Sequence, residues 1–543
     1  MKTAVLSATL GLATHATLTV TNLELENFLL HVPALTVCSL LALFYAYQLA
    51  GTSTIESLSE VTRITIAFTG GLLLSIGAYR VAFHRLRRFP GPFPAKFTKF
   101  YGLFLAAKKV QYQEELSLLH QKFGDFVRTG PREICLFRDT AVLAVHGPDS
   151  HCRKSTYYSQ VDIDPKKCSV HTLRDHDAHR RRRRAWEKSL SIKTISTYEP
   201  RITPLVELLI WQLSQGAPIN ATDWSMFLGF DLIGRVGLGK DFNCLANGRH
   251  DPRILSLHES MGVIGTLGHV PWLLFLLSRI PGATAKYSGF FELCAHEVET
   301  KMQRWQPDQA PQDIISWVLK AFMEKDTSAP PSKAALHEDS RVLIVAGSDT
   351  IATTLTSALY YLVKHPRVLN KLRSQLDAAI PNPADWTYEK AKSITYIDDI
   401  IEETLRLKPP LLLGGPRVTP PNGMWVDEQF IPGDTNVITP IQLIHTDQRY
   451  WKNADEFIPE RFGERKDEFG TNAAPFFPFQ LGAYSCPGKN MAYLTLRIAL
   501  SQIVQKLDFD FAPGEDGHEF NTGTQETFVA TLAPLMLQFA KRT

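Results

Sequence analysis

The sequence predicts a mainly α-helical protein with minor β-sheet, set behind an N-terminal membrane anchor. Three observations predict it. Two long apolar stretches lie close to the N-terminus. Helix-period patterning dominates from Phe89 onward, with strand-like runs only near Phe126 to Phe137, Trp425 to Val437 and Thr527 to Phe539. No low-complexity tract or repeat divides that region, so one α-rich domain with small sheets is the simplest account.

The anchor comes first. Residues 1–27 form an N-terminal segment. Phe28 to Ala50 carries no formal charge and exceeds the roughly 20 residues a spanning helix needs. A second stretch runs from Ile64 to Phe83, interrupted by Arg80. Arg85, Arg87 and Arg88 follow, a positive cluster of the kind retained in the cytosol. Residues 28–88 therefore read as an anchor with two spans and a short lumenal loop. Residues 89–95, Phe89-Pro-Gly-Pro-Phe-Pro-Ala, read as a stiff extended spacer, because closely spaced prolines oppose a helix. Residues 96–543 are expected to form the main body of the protein.

Composition narrows the functions. With 543 residues and a net charge of +3, nothing global argues for nucleic acid. Seven cysteines without paired spacing are neither a disulfide framework nor a zinc pattern, and suit a reducing compartment. The sequon at Asn220 means little on the cytosolic side.

Four motifs carry the chemistry. Phe479-Gln-Leu-Gly482-Ala-Tyr484-Ser-Cys486-Pro-Gly488 brackets one cysteine with glycines, and an amphipathic helix begins at Lys489. The glycines let the backbone approach a flat macrocycle, and the helix N-terminus favours thiolate over thiol. Those are the conditions for a thiolate ligand to haem iron, which assists O–O cleavage. The bland alternative is a buried packing cysteine.

The long helix expected from Leu336 to Lys364 contains Ala346-Gly347-Ser348-Asp349-Thr350. A mid-helix glycine costs about 1 kcal/mol relative to alanine. The functional reading is a groove at Gly347 for dioxygen, with Thr350 as hydrogen-bond donor and Asp349 as proton relay. The alternative is a polar stripe with a small residue for close packing. Further on, Glu403 and Arg406 share a helix face. With Arg461 of Pro459-Glu-Arg-Phe462 they can form a buried charge network that pins the cysteine loop. Finally, His176-Asp-Ala-His179 leads into five arginines, Arg180 to Arg184. His179 and Arg183, four apart, can turn inward to haem propionates, leaving a basic patch for an acidic electron donor.

Together these motifs resemble the cytochrome P-450 superfamily of haem-thiolate monooxygenases, from about Phe89 to Thr543. The sequence style is most similar to microsomal members from filamentous fungi, often used in secondary metabolism. The resemblance implies an α-rich triangular prism with small sheets and haem b as cofactor. It implies Cys486 as the axial iron ligand, Phe479 beside the sulfur, and Gly482 and Gly488 at the loop turn. Arg417, after Gly414-Gly415-Pro416, matches a propionate-binding position. Two positions depart from the family. Tyr484 stands where Arg or His is usual, so a charge is lost, and His179 stands where Trp is frequent.

The resemblance further implies electrons from NADPH through NADPH–cytochrome P-450 reductase, with cytochrome b5 as a second donor. It implies an endoplasmic reticulum membrane location and a lipophilic small-molecule substrate to be hydroxylated or epoxidised. Two other functions compete. A haem-thiolate isomerase or dehydratase needs no proton delivery, so the intact Asp349-Thr350 pair argues against it. A non-catalytic membrane haem-binding protein predicts loss of Thr350, Glu403, Arg406 or Cys486, and none is lost.

Overall fold

The computed structural model describes residues 2–21, 28–161, 164–282 and 285–542. Three apolar helices lead the chain, not two: Lys2–Thr21, His31–Leu49 and Thr54–Ala78, the last running on as a π-turn over Tyr79–Phe83. The first of these lies in the segment expected to precede the anchor, whose boundary at residue 27 is outside the described residues. Its threonines obscure it in the sequence. In the helix they return their hydroxyls to the preceding turn, as Thr9 does to Val5 O at 2.9 Å and Thr14 to Leu10 O at 2.8 Å. A threonine so bonded has no unmet donor and tolerates apolar surroundings.

Glycines bring the first and third helices together. A Cβ at Gly11 would lie 2.2 Å from the Phe68 carbonyl oxygen, and one at Gly71 would lie 2.2 Å from that of Ala8. His15 Nδ1 reaches Ser75 Oγ at 2.8 Å across the same seam. The outward faces carry exposed Leu35, Leu41, Ile66 and Leu74.

The proline-rich segment is not a free spacer. Arg128 N–H donates to Pro90 O at 2.7 Å, tying the segment to the adjacent strand. Phe93–Phe97 then forms a helix with Pro94 in its first turn, where the missing N–H costs no intrahelical bond.

A five-stranded sheet holds Phe126–Gly130, Glu133–Leu136, Asn436–Ile438, Arg417–Val418 and Arg153–Lys154 in that order. Asn436–Ile438 runs parallel to Glu133–Leu136; the other pairings are antiparallel. Met424–Val426 pairs with Gln429–Ile431 as a hairpin. Of the strand expected over Thr527 to Phe539, only the end forms: Met536–Lys541 pairs with Leu507–Phe511 and Ile219–Asn220. The remainder is a turn closed by a bridge between Gln525 and Thr531.

The helix expected from Leu336 spans Lys333–Lys364, capped by Ser332 accepting from Ala335 N–H. It is apolar and long enough to cross a membrane, yet it runs through the core. Tyr396–Leu407 and Lys489–Lys506 pack beside it in one large apolar cluster with Ile397, Ile401, Leu496 and Leu500. The cysteine loop, the long helix and the five-stranded sheet thereby close around a common interior space.

Candidate active site

The cysteine loop turns back on itself. Cys486 N–H donates to Phe479 O at 2.8 Å. Gly482 has φ +60°, and a Cβ there would lie 2.7 Å from the carbonyl oxygens of His146 and Gly147. Only glycine meets both demands. Gly488 differs from expectation: its φ is −82°, so the turn does not require glycine, and a Cβ would make ordinary contact with Cys486 Sγ at 3.6 Å. What Gly488 supplies is its N–H, which with that of Lys489 bonds the sulfur.

Burial pushes the Cys486 thiol up, and the Gly488 and Lys489 N–H groups and the Arg183 charge pull it partly back. Cys486 is enclosed by protein but keeps accessible surface. What it faces is an internal cavity of about 1000 Å³.

The long helix forms one wall of that cavity through Ala346, Gly347, Thr350, Ile351 and Thr354. Thr350 Oγ1 donates to Ala346 O at 2.8 Å. Asp349 faces elsewhere: it accepts from Ser348 Oγ at 2.9 Å and lies 3.6 Å from His258 Nε2 on the helix Pro252–Leu267. Neighbours on a helix point about 100° apart, so the acid and the alcohol occupy different sides of it. Gly347 also serves close packing, since a Cβ would lie 2.4 Å from Ile233 Cδ1.

A second wall is cationic and centred on Tyr484. The Arg417 guanidinium lies 4.8 Å from the ring centroid, Lys154 Nζ 5.1 Å, and the His179 ring 4.9 Å. The Tyr484 hydroxyl lies 3.4 Å from His176 Nδ1. Arg183 donates to Ser485 O and Oγ and pairs with Glu187 at 2.7 Å. Burial, then Lys154 and Arg183, push His179 down to about 2. Burial and Lys154 push His171 down to about 3. Arg417 Nε is buried without a partner. Among the described residues the one acid lining this cavity is Glu259, on the helix Pro252–Leu267. A flat group carrying two carboxylates, with a metal needing a sulfur ligand, fits this donor set.

Of the five arginines, Arg182 also turns inward, pairing with Asp339 at 2.7 Å, while Arg180, Arg181 and Arg184 are exposed. The sequence marks the stretch Cys152 to Val170 as a pocket wall, and Lys154 and Tyr158 of that stretch do line the cavity, but it singles out neither of them, and it misses His171 just beyond. None of the three belongs to a motif; the sheet pairing of Lys154 with Arg417 brings that lysine to the cavity, and Tyr158 and His171 pack edge-on to each other at 5.5 Å beside it.

Glu403, Arg406 and Arg461 meet with no solvent exposure. Arg406 makes a two-pronged contact with Glu403 at 2.7 and 2.9 Å, and Arg461 Nε reaches the same carboxylate at 3.0 Å. Remaining donors take the carbonyls of His445, Ala454 and Lys452 at 2.7–2.9 Å. The network thus binds the chain just before the cysteine loop. It reaches the loop through His445, whose Nε2 accepts from Phe477 N–H at 3.0 Å.

The fold and this site define a class. The cytochrome P450 family model matches residues 90–539, and the chain belongs to that family. A cytochrome P450 monooxygenase from Eupenicillium brefeldianum is 35% identical, over 87% of this chain and 94% of the relative. Another from Fusarium pseudograminearum is 34% identical over 90% and 88%. The tryprostatin B 6-hydroxylase of Aspergillus fumigatus is 29% identical over 88% and 87%. A crystal structure of a cytochrome P450 superposes with a TM-score of 0.66 at 20% identity, covering 80% of this chain and 94% of the other. The protein is a cytochrome P450 monooxygenase, and haem-thiolate iron is the cofactor its family implies.

Proposed function

We propose that the chain is a membrane-anchored monooxygenase that oxidises a lipophilic small molecule in fungal secondary metabolism. The observation that carries this reading is Cys486 Sγ opening into a large cavity. Cys486 would hold the iron of haem b, and the bound haem supplies oxygen activation. Arg417, Lys154, His179 and Tyr484 would receive the propionates. Arg183 would act through Ser485, holding the loop beside the sulfur.

Thr350 is the hydroxyl donor on the cavity wall. Asp349 with His258 is the route by which protons reach it from the far side of the long helix. Glu403, Arg406 and Arg461 are structural. The walls Leu232, Ile233, Leu257, Met261, Val263 and Ile264 exclude water and select a greasy substrate.

The helices between Lys2 and Phe83 form the anchor, because bare apolar faces of that length are stable only in lipid. Residues 96–543 form the catalytic domain on the cytosolic side of the endoplasmic reticulum. Exposed Arg180, Arg181 and Arg184 offer a basic surface to the reductase that passes on electrons from NADPH, and to cytochrome b5.

The test is the carbon monoxide difference spectrum of the dithionite-reduced protein in microsomes. A strongly red-shifted Soret band is expected, and its loss in Cys486→Ala. An unshifted band in the parent protein, or a shifted one in the variant, refutes the assignment of Cys486.

A further inference from the structure

A second cavity of about 360 Å³ abuts the large one. Tyr157, Ile264, Gly268, Pro271 and Phe528 line both. Glu526 lines the second cavity, on the turn that replaces the start of the expected C-terminal strand. Its backbone is fixed. Its N–H donates to Val110 O at 2.6 Å, and a Cβ on Gly265 would lie 2.6 Å from its carbonyl oxygen. Its carboxyl is enclosed by protein while the residue keeps accessible surface, as Cys486 does, and the space it borders is the second cavity.

Among the described residues no cation acts on this carboxyl. Burial pushes it up to about 7, and a single backbone N–H, that of Phe528, pulls the other way. Burial above all, then Glu133, Cys135 and Glu526, raise the nearby Tyr112 hydroxyl, Tyr157 lines the cavity as well, and the other charged and titratable groups around it have partners of their own. Lys99 pairs with Glu133 at 2.5 Å. Arg80 donates to the Phe97 carbonyl, and Arg132 to that of Asp434 at 3.3 Å. His269 lies edge-on to Tyr112 at 4.2 Å, and burial holds it near 3 and neutral.

Phe528 carries the turn. Its φ is +85°, a conformation that costs a non-glycine residue of order 1–3 kcal/mol. The turn holds it there: Gln525 N–H donates to Thr531 O at 2.9 Å and Thr527 Oγ1 to Val529 O at 2.6 Å. The strained geometry keeps the Phe528 N–H on the Glu526 carboxyl and its ring against His171 at 5.4 Å, between the two cavities.

An enclosed carboxyl without a counter-ion is a standing cost to the fold. Facing a ligand-sized space, it is the group a cationic ligand would satisfy. We propose that Glu526 anchors a protonated amine of the substrate in the second cavity, while the rest of the molecule extends past Phe528 into the cavity over Cys486. This rests on the reading that the large cavity receives substrate beside haem. It goes further in naming the substrate class: lipophilic amines.

The experiment uses purified holoprotein whose carbon monoxide band is recorded first. Three probes of equal chain length are titrated: decyltrimethylammonium, decanol and decanoate. The quaternary ammonium carries the charge but cannot ligate iron. Binding is read by haem absorbance and by quenching of tryptophan fluorescence, Trp272 being in the second cavity. At pH 8 the cation is expected to bind about tenfold or more tighter than either other probe, the range of a buried charge-assisted contact. The preference should vanish in Glu526→Gln and shrink in the parent protein as pH falls below 7. Equal binding of all three, a preference for decanoate through Arg80, Lys99 and Arg132, or a cation preference that survives Glu526→Gln overturns the proposal. A missing thiolate band instead defeats the haem reading alone, because the fluorescence titration still reports on Glu526.

Discussion

At the scale of single residues, the site rests on groups whose partners are few and close. Glu403 is fully buried and neutralises two buried guanidinium groups at once. Removing one charge from such a cluster strands the others, at a cost of about 3–5 kcal/mol. Glu403→Gln should therefore lower the thermal midpoint sharply and reduce haem retention at a given expression level. A variant with parental midpoint and haem content would show that the cluster is not needed. Thr350 offers a sharper functional test, since its hydroxyl, which among the described residues bonds the Ala346 carbonyl alone, lies on the cavity wall. Thr350→Ala should keep the carbon monoxide band and lower product formed per NADPH, with the deficit appearing as hydrogen peroxide. Unchanged coupling would remove Thr350 from the proton route.

At the scale of elements, close helix packing sets where the chemistry can sit. The long helix is pressed on the helix Ala221–Leu232, where a Cβ at Gly229 would lie 2.7 Å from Ser348 O. That contact fixes its rotation, and the rotation is what sends Thr350 to the cavity and Asp349 to His258. The N-terminal helices use the same device at Gly11 and Gly71. A leucine at Gly71 meets backbone, which cannot step aside. Gly71→Leu should separate the first and third helices. The expected result is a lower thermal midpoint in detergent micelles and greater protease access to the first helix, with the carbon monoxide spectrum unchanged. If protection of that helix is unaltered, the glycine seam does not hold it.

At the scale of the whole molecule, the interior carries many neutral histidines. Burial holds His445 and His269 at about 3, against 6.5 when unfolded. A group whose folded pKa is depressed below its unfolded one takes up protons on unfolding. The stability from keeping these histidines neutral is complete above about pH 6.5 and is lost as pH falls toward 3. Glu460 adds to the loss at lower pH. Burial raises its carboxyl, but hydrogen bonds from Arg367, Tyr396 and Lys371 prevail and hold it at about 2, so its contribution fades below about 4.5. The thermal midpoint should fall steadily as pH is lowered from 6.5. A flat midpoint down to pH 4 would mean these histidines are not held neutral by the fold.

The sequence by itself determined the motifs whose residues lie close together in the chain. The cysteine loop, the Glu403–Arg406 pair, the acid–alcohol pair and the capped long helix are set by spacing, turn chemistry and period, which are local. It did not disclose the first apolar helix, because threonines look polar until they bond their own backbone. Nor did it disclose the helix at Phe93, where tertiary contacts override propensity, although it did mark a turn near Glu526 to Ala530 as a pocket wall. The tertiary structure alone decided that Lys154 joins Arg417 and His179 around Tyr484, that Arg182 turns inward, and that Asp349 faces away from Thr350. Those outcomes depend on which distant surfaces pack together, and only the folded chain specifies that.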